Sequence, residues 1–323
     1  MKILFITYTN IGDVVMSTAL LERILSEHPD ATVDIVVGGR AAELFEGMPQ
    51  LGRLITLKKR KHHRHYLDLR QELRHEHYGL VVDLRTPFFK WCVSHDRALT
   101  FAGSKAYART GAKVEQLGAL WPSMRPLKQK VWVNNRTTEV IQEKVAAIKR
   151  PLVAVGPTAN WAGKQWPQAK FLALIQGLLA TPAYKDATFL LLGAPNERQD
   201  IENLIAAVPA QNRLDLVGKT TIAESYAWLD AADVFVGHDS GLSHLAAAAG
   251  TPAITLFGPM NDKIYAPWSD VSKVIVPPMK TWQEVNLPKK KYLPRVISDI
   301  SVEDVFTCLA TPNKKTDGKR EGQ

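Results

Sequence analysis

The chain has 323 residues, 46% hydrophobic and 23% charged, which suits two globular domains of ordinary size and excludes a disordered or fibrous protein. Two cysteines, Cys92 and Cys308, exclude a disulfide framework and a thiolate metal site, and point to a reducing compartment. The net charge of +9 is concentrated between Lys58 and Tyr78, and no run reaches the roughly 20 apolar residues that cross a bilayer, so any membrane contact is expected to be peripheral.

The amino terminus reads as a first strand, Ile3 to Ile6, because its short apolar run flows into an amphipathic helix pattern from about Asp13 to His28; it is not expected to be a signal peptide. A strand over Thr32–Val37, a helix from about Arg40, and strands near Leu54-Ile55, at Leu80–Leu84 and at Arg97–Phe101 follow. Between Trp121 and Arg150 the text turns Pro-, Lys- and Asn-bearing, with a polar helix from about Arg136 to Lys149, and the linker is placed here. A second series alternates strand Leu152–Val155, helix Gln168–Leu179, strand Thr188–Leu192, helix Glu197–Ala207, strand Leu214–Val217, helix Ile222–Ala231 and strand Val234–Val236. A turn through Asp239, Ser240 and Gly241 then leads to a small-residue helix that Gly250 and Pro252 stop, and to a further strand.

This pattern predicts two α/β halves with mostly parallel sheets and a cleft between them, residues 1–150 forming the first domain with its linker and 151–310 the second. Residues 311–323 are expected to be a disordered tail.

Three turns can carry chemistry. In the last, a helix starting after Asp239 would aim unpaired N–H groups and its positive dipole end at an anion, with Gly241 leaving room for a ligand. Its bland alternative is capping by Asp239 or Ser240, with His244 in the core. In VGPTANWAGKQWP, Lys164 can neutralise a diphosphate and Thr158 and Asn160 can add hydrogen bonds, although loop lysines are commonly just solvated. Glu224 is either a ribose-binding carboxylate or a helix-start acid. In the first half no GxGxxG follows the first strand, which weakens a dinucleotide-binding dehydrogenase. There Asp13 is either a capping residue or a general base.

The basic cluster Lys58, Lys59, Arg60, Lys61 and Arg64 reads as a solvated helix face or as a patch for a phosphorylated acceptor or anionic membrane. It lacks the interleaved aromatics of a nucleic-acid surface, so no nucleic-acid partner is expected. Its histidines lack metal-ligand spacing, and no metal site is expected.

Together GDVVMSTALL, GKQWP, TIAES and DSGLSHLAAAAGTP followed by FGP resemble, in order and over about residues 1–310, the ADP-heptose:lipopolysaccharide heptosyltransferases of glycosyltransferase family 9. The resemblance implies a GT-B fold of two Rossmann-like domains and inverting transfer of heptose from ADP-heptose to the lipopolysaccharide inner core, with no metal and no cofactor. It implies Asp13 as base, Lys164 on the donor diphosphate and Glu224 near the ribose. Asp239, Ser240, Gly241 and His244 would lie on the donor sugar and phosphates, and the acceptor would be met at the cytoplasmic face of the inner membrane. The chain departs from the family pattern in having Ser17-Thr18-Ala19-Leu20 where a proline is frequent, and in His238, which is expected to bear on donor-site electrostatics. Competing expectations are a transferase or epimerase of another nucleotide sugar, and a noncatalytic nucleotide-sugar-binding protein.

Overall fold

Ile3, Leu4, Phe5 and Ile6 are all fully buried, as a strand covered on both faces by helices must be, and they make up most of β1 (Lys2–Ile6). This is a computed structural model, and it describes residues 1–57, 64–86, 89–101, 111–285, 287 and 292–310. The expected tail, 311–323, lies outside the described residues.

The first unit, Met1–Thr138, continues with α1 (Ile11–Glu27), β2 (Thr32–Gly38), β3 (Leu51–Leu57), α2 (Arg64–Leu73), β4 (His77–Asp83), β5 (Ser94–Thr100) and α3 (Lys113–Gly118). Its five strands are parallel in the order β3-β2-β1-β4-β5, so the winding direction reverses between β1 and β4. Lys2, Asp34 and Arg53, charged residues on three neighbouring strands, are paired with one another. Asp34 on β2, 1% exposed, accepts from Arg53 Nη2 (2.6 Å) and Tyr78 Oη (2.8 Å). Burial pulls its carboxyl upward, but those bonds and the charges of Arg53 and Lys2 outweigh burial and leave it lowered.

Two expectations change here. The helix expected from Arg40 is a 3-10 turn, Gly39–Phe45, because the chain must turn at Gly47, whose N–H donates to Trp132 O at 2.7 Å and whose Cβ position is filled by Val133 backbone. The stretch expected as the linker of the first domain, 121–150, is divided between the two units. Val131, Trp132 and Val133 are buried, and Trp132 N donates to Leu44 O (2.8 Å), so the division falls at Thr138/Glu139 within α4 (Asn135–Ala146), ahead of residue 150.

The second unit, Glu139–Gln323, contains β6 (Leu152–Gly156), α5 (Gln168–Leu179), β7 (Thr188–Leu191), α6 (Glu202–Ala207), β8 (Arg213–Asp215) and α7 (Ile222–Ala231). It continues through β9 (Val234–His238), α8 (Gly241–Ala248), β10 (Ala253–Leu256), α9 (Asp262–Tyr265), β11 (Ser272–Ile275) and α10 (Val302–Ala310). Its six parallel strands run β11-β10-β9-β6-β7-β8, the doubly wound Rossmann order, reversing between β6 and β9. The helix expected over Glu197–Ala207 begins instead as two 3-10 turns, Pro195–Glu197 and Gln199–Ile201. Glu197 accepts from Thr158 Oγ1 (2.7 Å) and Arg198 donates to Asp215 (2.9 Å), so tertiary bonds hold these turns. The core packs Phe171, Leu174 and Leu178 of α5 and Val305 and Leu309 of α10 against Val153, Phe189, Val236 and Ile254 of the sheet.

Candidate active site

At the reversal of the second sheet Gly156 of β6 lies directly opposite Gly237 of β9, and beyond them the two loops that carry the expected donor residues come together. Gly237 must be a glycine, since a Cβ there would sit 2.6 Å from Phe235 Cζ and 2.8 Å from Gly156 O. Val234 to His238 is a half-buried to buried strand, and Asp239 and Ser240 form its exit. Ser240 is the N-cap of α8, but its hydroxyl makes no capping bond and its buried Oγ has no hydrogen-bond partner. Gly241 is the first helical residue, and His244, 3% exposed, lies on the buried face with Leu245 and Ala246. Gly250 ends the helix region at φ +68°, with Thr251 N donating to Ala246 O (3.0 Å).

Across the sheet reversal, Lys164 ends a single 3-10 turn, Ala162–Lys164, and its Nζ donates to Asp239 Oδ2 at 2.5 Å and to Asp239 O at 3.4 Å. Both partners are shielded, at 16% and 9% exposed, so the pair sits in a low-dielectric spot where its attraction is strong. Thr158 is buried and donates its hydroxyl to Glu197 Oε2 (2.7 Å), while Asn160 is exposed.

Glu224 sits apart from these at the start of α7, after β8, two strands beyond β6 in the sheet. It forms a capping box: Glu224 N donates to Thr221 Oγ1 (3.2 Å) and Thr221 N donates to Glu224 Oε2 (2.8 Å).

His238 has a different role from the one expected. It is fully buried, and its Nε2 accepts from Trp166 N–H at 2.7 Å; since a backbone amide can only donate, that nitrogen carries no proton. The ring proton is therefore on Nδ1, which donates to Thr158 O at 3.2 Å. Burial pushes the imidazole down to about 4, against the pull of the Thr158 carbonyl and helped by the Lys164 charge. His238 thus adds no positive charge to this edge of the sheet near neutral pH, which corrects the expectation that it alters the site's charge.

In the first unit Asp13 lies in the first turn of α1, at the carboxyl edge of the sheet beside the reversal point, and Asn10 Nδ2 donates to its Oδ2 (3.2 Å). A second carboxyl at this edge, Asp83, ends β4, but it is 1% exposed and is consumed by its own turn. Arg85 N and Thr86 N donate to its Oδ1, Thr86 Oγ1 to its Oδ2, and burial raises its carboxyl against those bonds. Asp13 is the more accessible of the two. Lys113 was not anticipated. Its Nζ stands 3.9 Å from the Phe101 ring centre and 5.5 Å from that of Tyr8; burial lowers its pKa, and the charge of Asp13 opposes that shift. No local signal marks it, because a single lysine opening a short helix 100 positions from Asp13 has no spacing to read.

Of the basic cluster, Lys58, Lys59, Arg60 and Lys61 lie outside the described residues, and of Arg64 only the backbone, at the start of α2, is described. Among the described residues no helix is long and apolar enough to cross a membrane.

The model of glycosyltransferase family 9 (heptosyltransferase) matches residues 123–293, which includes the β6, β8 and β9 loops described above. Lipopolysaccharide heptosyltransferase 2 of Escherichia coli K12 is 23% identical over 320 residues, covering 85% of this chain and 88% of the relative. Among solved structures, E. coli ADP-heptose lps heptosyltransferase II superposes with a TM-score of 0.74 at 21% identity, covering 96% of this chain and 98% of that one. E. coli heptosyltransferase WaaC with ADP does so with 0.73 at 18% identity, covering 96% and 99%. These likenesses identify the two doubly wound units as the GT-B fold, and the family match over more than half of the chain makes the protein a glycosyltransferase belonging to family 9, the heptosyltransferases.

Proposed function

We propose that the protein transfers heptose from ADP-heptose to the lipopolysaccharide inner core, by a single displacement that inverts the anomeric centre and needs neither metal ion nor cofactor. The observation that carries this reading is the Lys164–Asp239 pair at the amino end of α8, where the second sheet reverses. An ammonium has three N–H donors, and two point at Asp239; the third is left for a diphosphate oxygen. The names of the relatives support an ADP-linked heptose as donor and lipopolysaccharide as acceptor.

In this reading the second unit binds the donor. Lys164 and the α8 N-terminus receive the diphosphate, Ser240 Oγ and the Gly241 backbone meet its oxygens, and His244, Asp239 and Asn160 lie toward the sugar. Thr158 supports the loop through Glu197. Glu224 lies two strand spacings from β6, about 10 Å, a span that a nucleoside bridges, so its carboxylate is the candidate for the ribose hydroxyls. Charge grows on the departing ADP as the glycosidic bond breaks, and Lys164 and the helix dipole are pre-placed to stabilise it. Asp13 takes the proton of the attacking acceptor hydroxyl. The first unit meets the acceptor. Its basic segment, with Leu67 and Trp91 exposed at 64% and 78%, suits peripheral contact with the cytoplasmic face of an anionic inner membrane.

Asp13→Asn, which keeps the shape of the side chain beside Asn10, should bind ADP as the wild type does in calorimetry while its turnover with ADP-heptose and lipopolysaccharide acceptor drops by about 10²–10⁴-fold. Wild-type turnover in that variant would remove Asp13 as the base, and retention of anomeric configuration in the product would remove the single displacement.

A further inference from the structure

The segment that presents Lys164 is tethered at both ends by one side chain. His238, the last residue of β9, accepts Trp166 N–H on Nε2 and donates from Nδ1 to Thr158 O, so that one ring bridges the residues six before and two after Lys164. A second bond closes the same loop from within, Gln165 Nε2 donating to Ala159 O at 2.7 Å, whereas His238 ties both ends of the loop to β9.

We propose that His238 is a positioning residue of the donor site, a cross-brace that sets where Lys164 meets Asp239 and so where the diphosphate is held. The proposal rests on the donor-site reading given above.

The geometry has three consequences that a merely space-filling ring would not. First, the brace is directional. Nε2 must accept and Nδ1 must donate, so the ring works only as the neutral Nδ1–H tautomer, and full burial keeps it neutral over the working pH range. Second, the ring is fixed in orientation by more than its bonds, since Phe171 of α5 stands edge-on to it at 5.3 Å and 88°. Third, the brace is continuous with the ion pair. His238 and Asp239 are consecutive, so the backbone that holds the imidazole also carries the carboxylate that Lys164 grips. A shift of the loop relative to β9 therefore moves the ammonium away from its partner and from the α8 N-terminus together. The chain bonds at Trp166 are shared accordingly: its backbone N–H goes to His238, while its indole Nε1 is fixed separately by Ile300 O (2.9 Å).

The test uses the full chain and three substitutions. His238→Phe keeps an aromatic ring against Phe171 and removes both bonds. His238→Asn keeps a donor at the Nδ1 position for Thr158 O, and His238→Gln reaches an acceptor to the Nε2 position for Trp166 N–H. Two readouts are taken: amide hydrogen exchange across residues 158–166, which needs no ligand, and the dissociation constant of ADP by calorimetry, with KM for the nucleotide sugar and kcat alongside. The expected result for His238→Phe is exchange at the Trp166 amide at least tenfold faster, ADP binding at least tenfold weaker, and a donor KM that rises more than kcat falls. Asn and Gln should each recover part of the ADP affinity. Unchanged exchange at Trp166 in His238→Phe overturns the brace, and faster exchange with wild-type ADP affinity overturns its role in donor positioning. Should the Phe variant not fold, Asn and Gln decide: wild-type exchange and ADP affinity in both overturn the proposal. A wild-type chain that binds no ADP would instead overturn the donor-site reading, and the exchange measurement would still report on the brace.

Discussion

Lys164 and His238 are both basic residues in one small region, and burial assigns them opposite duties. Lys164 has a carboxylate 2.5 Å away; His238 has no carboxylate on either ring nitrogen and is held neutral. That neutrality has a stability consequence with a definite sign. The unfolded imidazole titrates near 6.5 and the folded one near 4, so between those values the unfolded chain binds a proton that the folded chain refuses. The contribution is complete above about pH 6.5 and is lost as the pH falls through the window toward 4, amounting to ~3 kcal/mol by its lower end. Urea unfolding of the wild type and His238→Phe from about pH 8 to pH 4 should therefore show the wild type losing stability relative to the variant below pH 6.5; a gap that stays constant would contradict the buried neutral ring. Sequence reading singled out Lys164, Asp239 and Asp13 as candidates from their motifs, but it gave His238 an electrostatic role, because charge state depends on burial, which a one-dimensional string does not carry.

At the scale of elements, the helices with strong end signals were the most legible. The α5 and α7 limits match the expected Gln168–Leu179 and Ile222–Ala231, and Glu224 and Gly250 stand at the helix ends where they were read. Elements held by distant partners were not. The 3-10 turns after Pro195 depend on Glu197 and Arg198 reaching residues far along the chain, and β11 joins the edge of the second sheet with no strong local start signal. The approach of β6 to β9 depends on side-by-side glycines. Gly237→Ala forces a Cβ against Phe235 and the Gly156 carbonyl, an overpacking expected to cost about 1–3 kcal/mol and to push the two donor loops apart. Chemical denaturation should show that loss together with weaker ADP binding; an alanine variant as stable and as tight as the wild type would mean the strands can spread without cost.

The whole molecule is two units with separate cores, one around β1, β4 and α2 and the other around β6, β9, α5 and α10. A ligand that binds one folded unit stabilises that unit by mass action, about 2.7 kcal/mol at a free concentration one hundred times Kd. Scanning calorimetry with and without ADP is therefore expected to show the transition of the second unit moving upward while that of the first stays in place. A shift confined to the first unit would reverse the assignment of the donor site.

The amino-acid sequence alone determined the alternation of strands and helices, the helix ends and the family motifs, because hydrophobic period and turn chemistry act over a few residues. Tertiary structure decided the strand order, and with it which loops meet. Parallel pairing of β6 with β9 brings Lys164 to Asp239 across 75 positions of chain, and only that enclosure settles which side chains are charged, which are braces and which are caps.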